Sequence, residues 1–238
     1  MTATRLIDYA QDGKPHQGLL VYDAARQAPA PTVLVFHDWA GRTQSQEGFA
    51  HRVAELGYAA FCVDLYGKGL TGSTPEECQA LMNPLAGDRA KLRARLLESV
   101  DVAAALPEVD ALNMAAIGFC FGGLCCLDLA RAGGAVKGVA SFHGLFGPTG
   151  LPSVTPIKPK VIAYHGWDDL MARPEDAVAF GAEFSAAGAD WQLHAFGDTK
   201  HAFMNEGADA PAMGLKYSER AARRAWDGLT RFLAEVLG

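Results

Sequence analysis

The chain has 238 residues, 50% of them hydrophobic and 20% charged, with a formal net charge of −6. That balance suits a single domain over 1–238 with a sizeable core, and the dispersed basic residues argue against a nucleic-acid surface, which needs clustered Lys and Arg. No apolar run reaches the ~18–20 residues of a membrane span, and the N-terminus has no signal-peptide core.

The predicted elements follow in chain order. RLIDYA and GLLVYD form two strands of an antiparallel hairpin around QDGKPHQ. TVLVFHD (32–38) is a continuous β-branched run of the kind buried on both faces of a sheet. A helix follows over SQEGFAHRVAELG, with Phe49, Val53 and Leu56 at helical spacing and a stop at Gly57. YAAFCVDLY (58–66) is the next strand. TPEECQALMNPL opens a helix with a Thr cap and a Pro in the first turn. GDRAKLRARLLESVDVAAAL is a long amphipathic helix whose Arg89, Lys91, Arg93 and Arg95 read as its wet face.

NMAAIGF is a strand, FGGLCCLDLARAG a helix, and VKGVASFHG and KPKVIAYHG two further strands. The Pro-rich piece between them, 147–160, reads as a surface loop. PEDAVAFGAEFSAAG is a helix, DWQLHAFG a strand, and YSERAARRAWDGLTRFLAEVLG a closing helix with Trp226, Leu229, Phe232, Leu233 and Val236 on one face. Buried strands alternating with amphipathic helices imply an α/β fold, a mostly parallel central sheet with helices on both faces. Function in such sheets collects at the carboxyl ends of the strands. That gathers His37, Asp38, Asp64, Tyr66, Cys120, His143, Asp168, Asp169 and His201 into one neighbourhood.

Five cysteines, Cys62, Cys78, Cys120, Cys125 and Cys126, show no scaffold-like spacing and no C-x-x-C pair. Free thiols in a reducing, cytoplasmic compartment are the expectation. Cys120 differs from the rest. It is the centre of Gly118-Phe119-Cys120-Phe121-Gly122, between a strand and a helix. That is the setting of a nucleophile elbow, with Cys where Ser is commoner. Glycines on either side relieve the clash of a sharp turn, and the helix N-terminus favours a thiolate and can bind an oxyanion. Packing at a tight turn explains the pentapeptide about as well; Cys125 and Cys126 read as packing residues.

A thiol nucleophile needs a base, and the base an orienting acid. The chain order nucleophile, acid, histidine is met by Cys120, the Asp168–Asp169 pair and His201. Asp169, three residues past Gly166 in an H-G-x-x-D turn, is favoured over Asp168. His143 and His165 are rival bases that follow their strands too closely to reach back, although His143 can line the pocket. No His/Cys/Asp cluster has metal-ligand spacing, so neither metal nor organic cofactor is expected.

VLVFHDWAG, GYAAFCVDLYGKG, IGFCFGG, VASFHG, HGWDD and KHAFMN together resemble the dienelactone hydrolase family, a branch of the α/β-hydrolases, over nearly the whole length. The resemblance implies the α/β-hydrolase fold, with Cys120 as nucleophile, Asp169 as acid, His201 as base and an oxyanion hole from the backbone N–H groups of Trp39 and Phe121. It implies a thiol-activating acid at Asp38, usually Glu in the family, and arginines that grip a substrate carboxylate. Here those arginines are missing: Asn205 stands at one position, and TPEECQALMNPL contains none. Arg42 is the nearest substitute, and a solvated arginine is its plainer account. Tyr66 and His143 are further pocket or thiol-activating candidates, and Trp39, Phe121, Phe142, Leu145 and Phe203 suggest an apolar pocket.

The expected partner is a small-molecule ester or lactone, with no nucleic acid or membrane, and the expected assembly a monomer or small homo-oligomer. The expected reaction is hydrolysis through a thioester. Acyl transfer on the same residues and a non-catalytic thiol sensor or ligand-binding module are the alternatives.

Overall fold

A computed structural model describes residues 2–238. The chain begins as a hairpin of β1 (Thr2–Gln11) and β2 (Lys14–Asp23). Its strands are longer than the sequence suggests, because the turn is only Asp12-Gly13, with φ 49° and 67°. A two-residue turn that matches strand twist needs positive φ at both positions, and Asp-Gly supplies it.

The other elements are β3 (Ala30–Phe36), α1 (Gln44–Glu55), β4 (Ala59–Cys62), α2 (Pro75–Ala86), α3 (Arg89–Ala104), β5 (Val109–Phe119), α4 (Phe121–Arg131), β6 (Gly138–Phe142), β7 (Lys160–Gly166), α5 (Pro174–Ala186), β8 (Trp191–Phe196), β9 (Asp209–Ala210), β10 (Leu215–Lys216) and α6 (Glu219–Leu237). Eight strands form one sheet in the order β1-β2-β4-β3-β5-β6-β7-β8. β1, β2 and β4 pair antiparallel; every pair from β4 through β3 to β8 is parallel. This is the mostly parallel, doubly covered sheet that the alternation implied.

Two apolar layers bury the sheet. One packs α1 and α6 through Phe49, Val53, Leu229 and Phe232. The other packs α3, α4 and α5 through Leu92, Leu96, Leu127 and Phe180. On the first side, Phe49, Phe119, Phe142 and Tyr164 stack in a row across the sheet, with centroids 3.9, 4.9 and 4.7 Å apart.

Three sequence readings are corrected. β4 ends at Cys62, because Asp64 turns the chain away. Its carboxylate accepts the backbone N–H groups of Gln17, Tyr66, Gly67 and Gly69. The α3 arginines are not a wet face. Arg95 is buried and donates to Leu65 O, Arg93 donates to Pro152 O, and Arg89 pairs with the buried Asp128, which also binds the buried Arg131. The segment before α6, unassigned by periodicity, carries the short β9–β10 pair around a 3₁₀ turn at Pro211–Met213.

Candidate active site

Cys120 sits between β5 and α4 with φ 54° and ψ −112°, a backbone that L-residues rarely adopt. The neighbouring glycines explain how the turn closes. A Cβ on Gly118 would lie 2.1 Å from Gly122 O, and one on Gly122 2.1 Å from Phe36 O. A side chain at Gly118 would push α4 off β5, and one at Gly122 would push the elbow off β3. The bend leaves Cys120 partly exposed, while Cys125 and Cys126 are fully buried among apolar residues.

His201 comes from the loop after β8, 2% exposed, and its Nδ1 lies 2.7 Å from Oδ2 of Asp169. Asp169 is buried too, and its other oxygen accepts the N–H groups of Met171 and Ala172. Asp168 is exposed and takes no part. The choice between the two aspartates thus falls on Asp169 as the partner of His201. The Nε2 of His201 is buried with no partner of strict hydrogen-bond geometry. Burial by itself would lower its pKa. The charge of Cys120 and the ring's hydrogen bonding to Asp169 and Cys120 outweigh burial and push it up to about 10. His201 thus sits between Asp169, which it bonds, and the sulfur of Cys120, which acts on its charge.

The oxyanion candidates lie opposite. Phe121 opens α4, where backbone N–H groups have no acceptor inside the helix. The Trp39 N–H makes no hydrogen bond among the described residues. Its peptide plane is held from behind. Asp38 O lies 2.7 Å from His37 Nδ1, and His37 Nε2 accepts the Leu65 N–H at 3.1 Å. These contacts require a neutral ring, and burial lowers the His37 pKa to about 4.

Asp38 lines the cavity, as the sequence suggested. Its carboxylate accepts the Ala40 N–H and the Nε2 amide of Gln46, and no hydrogen bond joins it to Cys120. Burial pushes its pKa up, against those two hydrogen bonds and the charge of His201. Tyr66 does not line the cavity; its hydroxyl donates to Trp39 O, and its ring packs edge-on to His37. It supports the oxyanion loop from outside. Arg42 is not solvated. It pairs with Glu47, donates to Gln17 O and has a side chain only 8% exposed. His165 is buried away from the cavity, with both ring nitrogens unpaired.

The cavity measures about 610 Å³. Trp39, Phe121 and Leu145 line it as expected, whereas Phe142 and Phe203 are core residues beneath it. Sequence reasoning missed Gln46 and four methionines, Met82, Met171, Met204 and Met213. No Lys or Arg lines the cavity among the described residues. Asn205 and α2 residues Pro75, Gln79 and Met82 occupy the positions where the family resemblance would place arginines.

A parallel α/β sheet with a cysteine elbow, a paired Asp–His and two free N–H groups defines the class, an α/β-hydrolase. The sequence profile of the dienelactone hydrolase family matches residues 18–237. A dienelactone hydrolase-like promiscuous phosphotriesterase from metagenomic libraries is 32% identical, superimposes with a TM-score of 0.93, and is covered over 99% of its chain by 100% of this one. A protein of Aquifex aeolicus (strain VF5), provisionally named a carboxymethylenebutenolidase, is 24% identical across 98% of this chain and 99% of its own. An uncharacterized Caenorhabditis elegans protein is 32% identical across 64% of this chain and 99% of its own. This chain belongs to the dienelactone hydrolase family and is a carboxylic ester hydrolase of that kind. None of its described helices is long and apolar enough to cross a membrane.

Proposed function

We propose that the chain hydrolyses uncharged carboxylic esters and lactones through Cys120, His201 and Asp169. The observation that carries this reading is the 2.7 Å Asp169–His201 hydrogen bond, with Cys120 on the strained turn beside it. The Cys120 thiolate attacks the carbonyl carbon. The oxyanion is stabilised by the N–H groups of Phe121 and Trp39, each worth about 3 kcal/mol in comparable sites. The tetrahedral intermediate collapses as protonated His201 gives its proton to the leaving alkoxide, and a Cys120 thioester remains. Water enters, His201 takes its proton, and the acid departs. Asp169 holds the ring in the productive tautomer throughout.

Substrate class follows from the walls. A carboxylate in this cavity meets no Lys or Arg side chain and faces Asp38 and Asp209. Burying it unpaired is costly, whereas methionines adapt to apolar groups of varied shape.

A panel of p-nitrophenyl esters and lactones of graded length, run on wild type, Cys120→Ala and Cys120→Ser, tests the reading. Cys120→Ala should abolish turnover, and near-full activity in that variant would sink the proposal. Products analysed with and without added alcohols separate hydrolysis from acyl transfer. A second reading, a side activity on neutral phosphotriesters, is supported by a cavity without Lys or Arg and by the 32%-identical relative named for that activity. Turnover of a p-nitrophenyl dialkyl phosphate that disappears in Cys120→Ala is its signature.

A further inference from the structure

His143 follows β6, lines the cavity, and is only 3% exposed. Its backbone is left-handed, φ 39°, which is uncommon for a non-glycine residue. Its ring stands edge-on to His201, centroids 5.0 Å apart. The backbone N–H of Cys120, shared between two acceptors, lies 3.0 Å from Phe142 O and 3.1 Å from Nδ1 of this ring. That N–H can only donate, so Nδ1 accepts and carries no proton. Burial and the charge of His201 also hold the His143 pKa well below the ordinary imidazole range. The ring is therefore the neutral tautomer with its proton on Nε2. Nε2 is buried and has no partner within the protein. A buried donor left unpaired is destabilising, and His143 lines the cavity with the rings of Phe119, His201 and Phe203 around it.

We propose that the His143 Nε2–H donates a hydrogen bond to the oxygen that leaves during acylation and to the water that replaces it during deacylation. This rests on the hydrolase reading above. The leaving oxygen and the incoming water occupy one place, between His201 and the reacting carbon, because the two half-reactions run through the same geometry in opposite directions. In the first step His143 stabilises negative charge as the C–O bond breaks, while His201 delivers the proton. In the second it holds the water oxygen, leaving a water proton free to point at His201. His143 gives up no proton in either step. By the same ring it ties the elbow through Nδ1, so one side chain serves both the nucleophile's backbone and the departing group.

Two substitutions separate these roles. His143→Asn tolerates the left-handed backbone and keeps an acceptor at the δ position, but loses the ε donor. His143→Gln places an N–H at the ε position and loses the δ acceptor. Acylation by an ethyl ester should fall about 10- to 100-fold in His143→Asn, the range for one hydrogen bond to a charged group. Acylation by the p-nitrophenyl ester of the same acid, whose leaving group needs little help, should change much less. Deacylation of their shared thioester should slow equally from either substrate, and His143→Gln should recover part of the ethyl-ester loss. Equal acylation losses for both leaving groups, or wild-type deacylation in His143→Asn, would overturn the role.

Nitrogen-15 NMR of the wild-type ring gives an answer that needs no variant: a proton on Nδ1, or on both nitrogens, at neutral pH ends the proposal. Mass spectrometry of the acylated wild type keeps the two readings distinct. With a thioester on Cys120 present, unaltered His143→Asn rates remove only this role; with none formed, the hydrolase mechanism fails and this role with it.

Discussion

His201 Nδ1 and Asp169 Oδ2 lie 2.7 Å apart, both side chains shut away from solvent. Burial should make such an imidazole harder to protonate, yet the nearby Cys120 charge and this hydrogen bond reverse the sign and carry its pKa up to about 10. The proton that the leaving alkoxide needs is thus present at neutral pH and is lost as pH rises through that value. The kcat/KM for an alkyl ester should fall on an alkaline limb near pH 10. Asp169→Asn removes a raising influence, so the limb should move to lower pH and the rate drop by roughly 10²–10⁴-fold. Cys120→Ala removes another, and the His201 imidazole signal should titrate lower by NMR. An unmoved limb and an unmoved titration would contradict the coupling.

Two glycines, one in the elbow and one in a helix, sit under opposite constraints. Gly122→Ala would drive a Cβ to 2.1 Å from Phe36 O, whereas Gly48, inside α1, has open space around it. Gly122→Ala should cost about 1–3 kcal/mol or more and lose most activity with it. Gly48→Ala should gain about 0.5–1 kcal/mol from helix propensity, a rise of about 1–4 °C in Tm, with activity kept. Denaturant titration and thermal melts of both variants decide this.

Asp128 neutralises two arginines, Arg89 at 2.5 Å and Arg131 at 3.0 Å, and both Asp128 and Arg131 are 2% exposed. Asp128→Ala would leave Arg89 without its two-point carboxylate partner and take one of two carboxylates from the buried Arg131, which Glu183 still pairs. The expected loss is about 3–5 kcal/mol, measured by urea unfolding. The cluster also holds Phe146 O and Gly147 O through Arg131, so the loop after His143 should become more sensitive to proteolysis.

Met213 stands 64% exposed on the cavity wall, in a lining without Lys or Arg. Met213→Arg should lower KM about 2- to 5-fold for an ester bearing a free carboxylate, in keeping with a surface ion pair. Salt should erase the gain, and KM for a neutral ester should stay put. Paired assays at low and high ionic strength check all three expectations.

The elbow and the paired Asp169–His201 were legible in the sequence because each depends on local geometry or chain order. Glycines two residues before and after a lone cysteine, between a strand and a helix, admit few physical readings. An acid after one strand and a histidine after the next follow from how parallel sheets present their loops. Partnerships across the tertiary fold were not legible. Gln46 reaches Asp38 only because α1 starts beside the oxyanion loop, and the α3 arginines are buried only because Leu65 O and Asp128 come to meet them. The methionine wall converges from separate segments, and two-residue strands such as β9 and β10 are too short for periodicity to register. Tyr66 was placed in the right neighbourhood but on the wrong side of the loop, since strand position alone does not settle which way a side chain leaves a turn.

β3 and β5 are adjacent in the ladder, and their ends deliver Trp39 and Cys120 respectively. The proposed attacking sulfur and the candidate charge-receiving amide are thereby bolted to one rigid frame. Most other walls of the chamber hang from connecting segments outside that frame. A lineage built this way can change its diet by altering loops, one residue at a time, and leave its reactive machinery untouched.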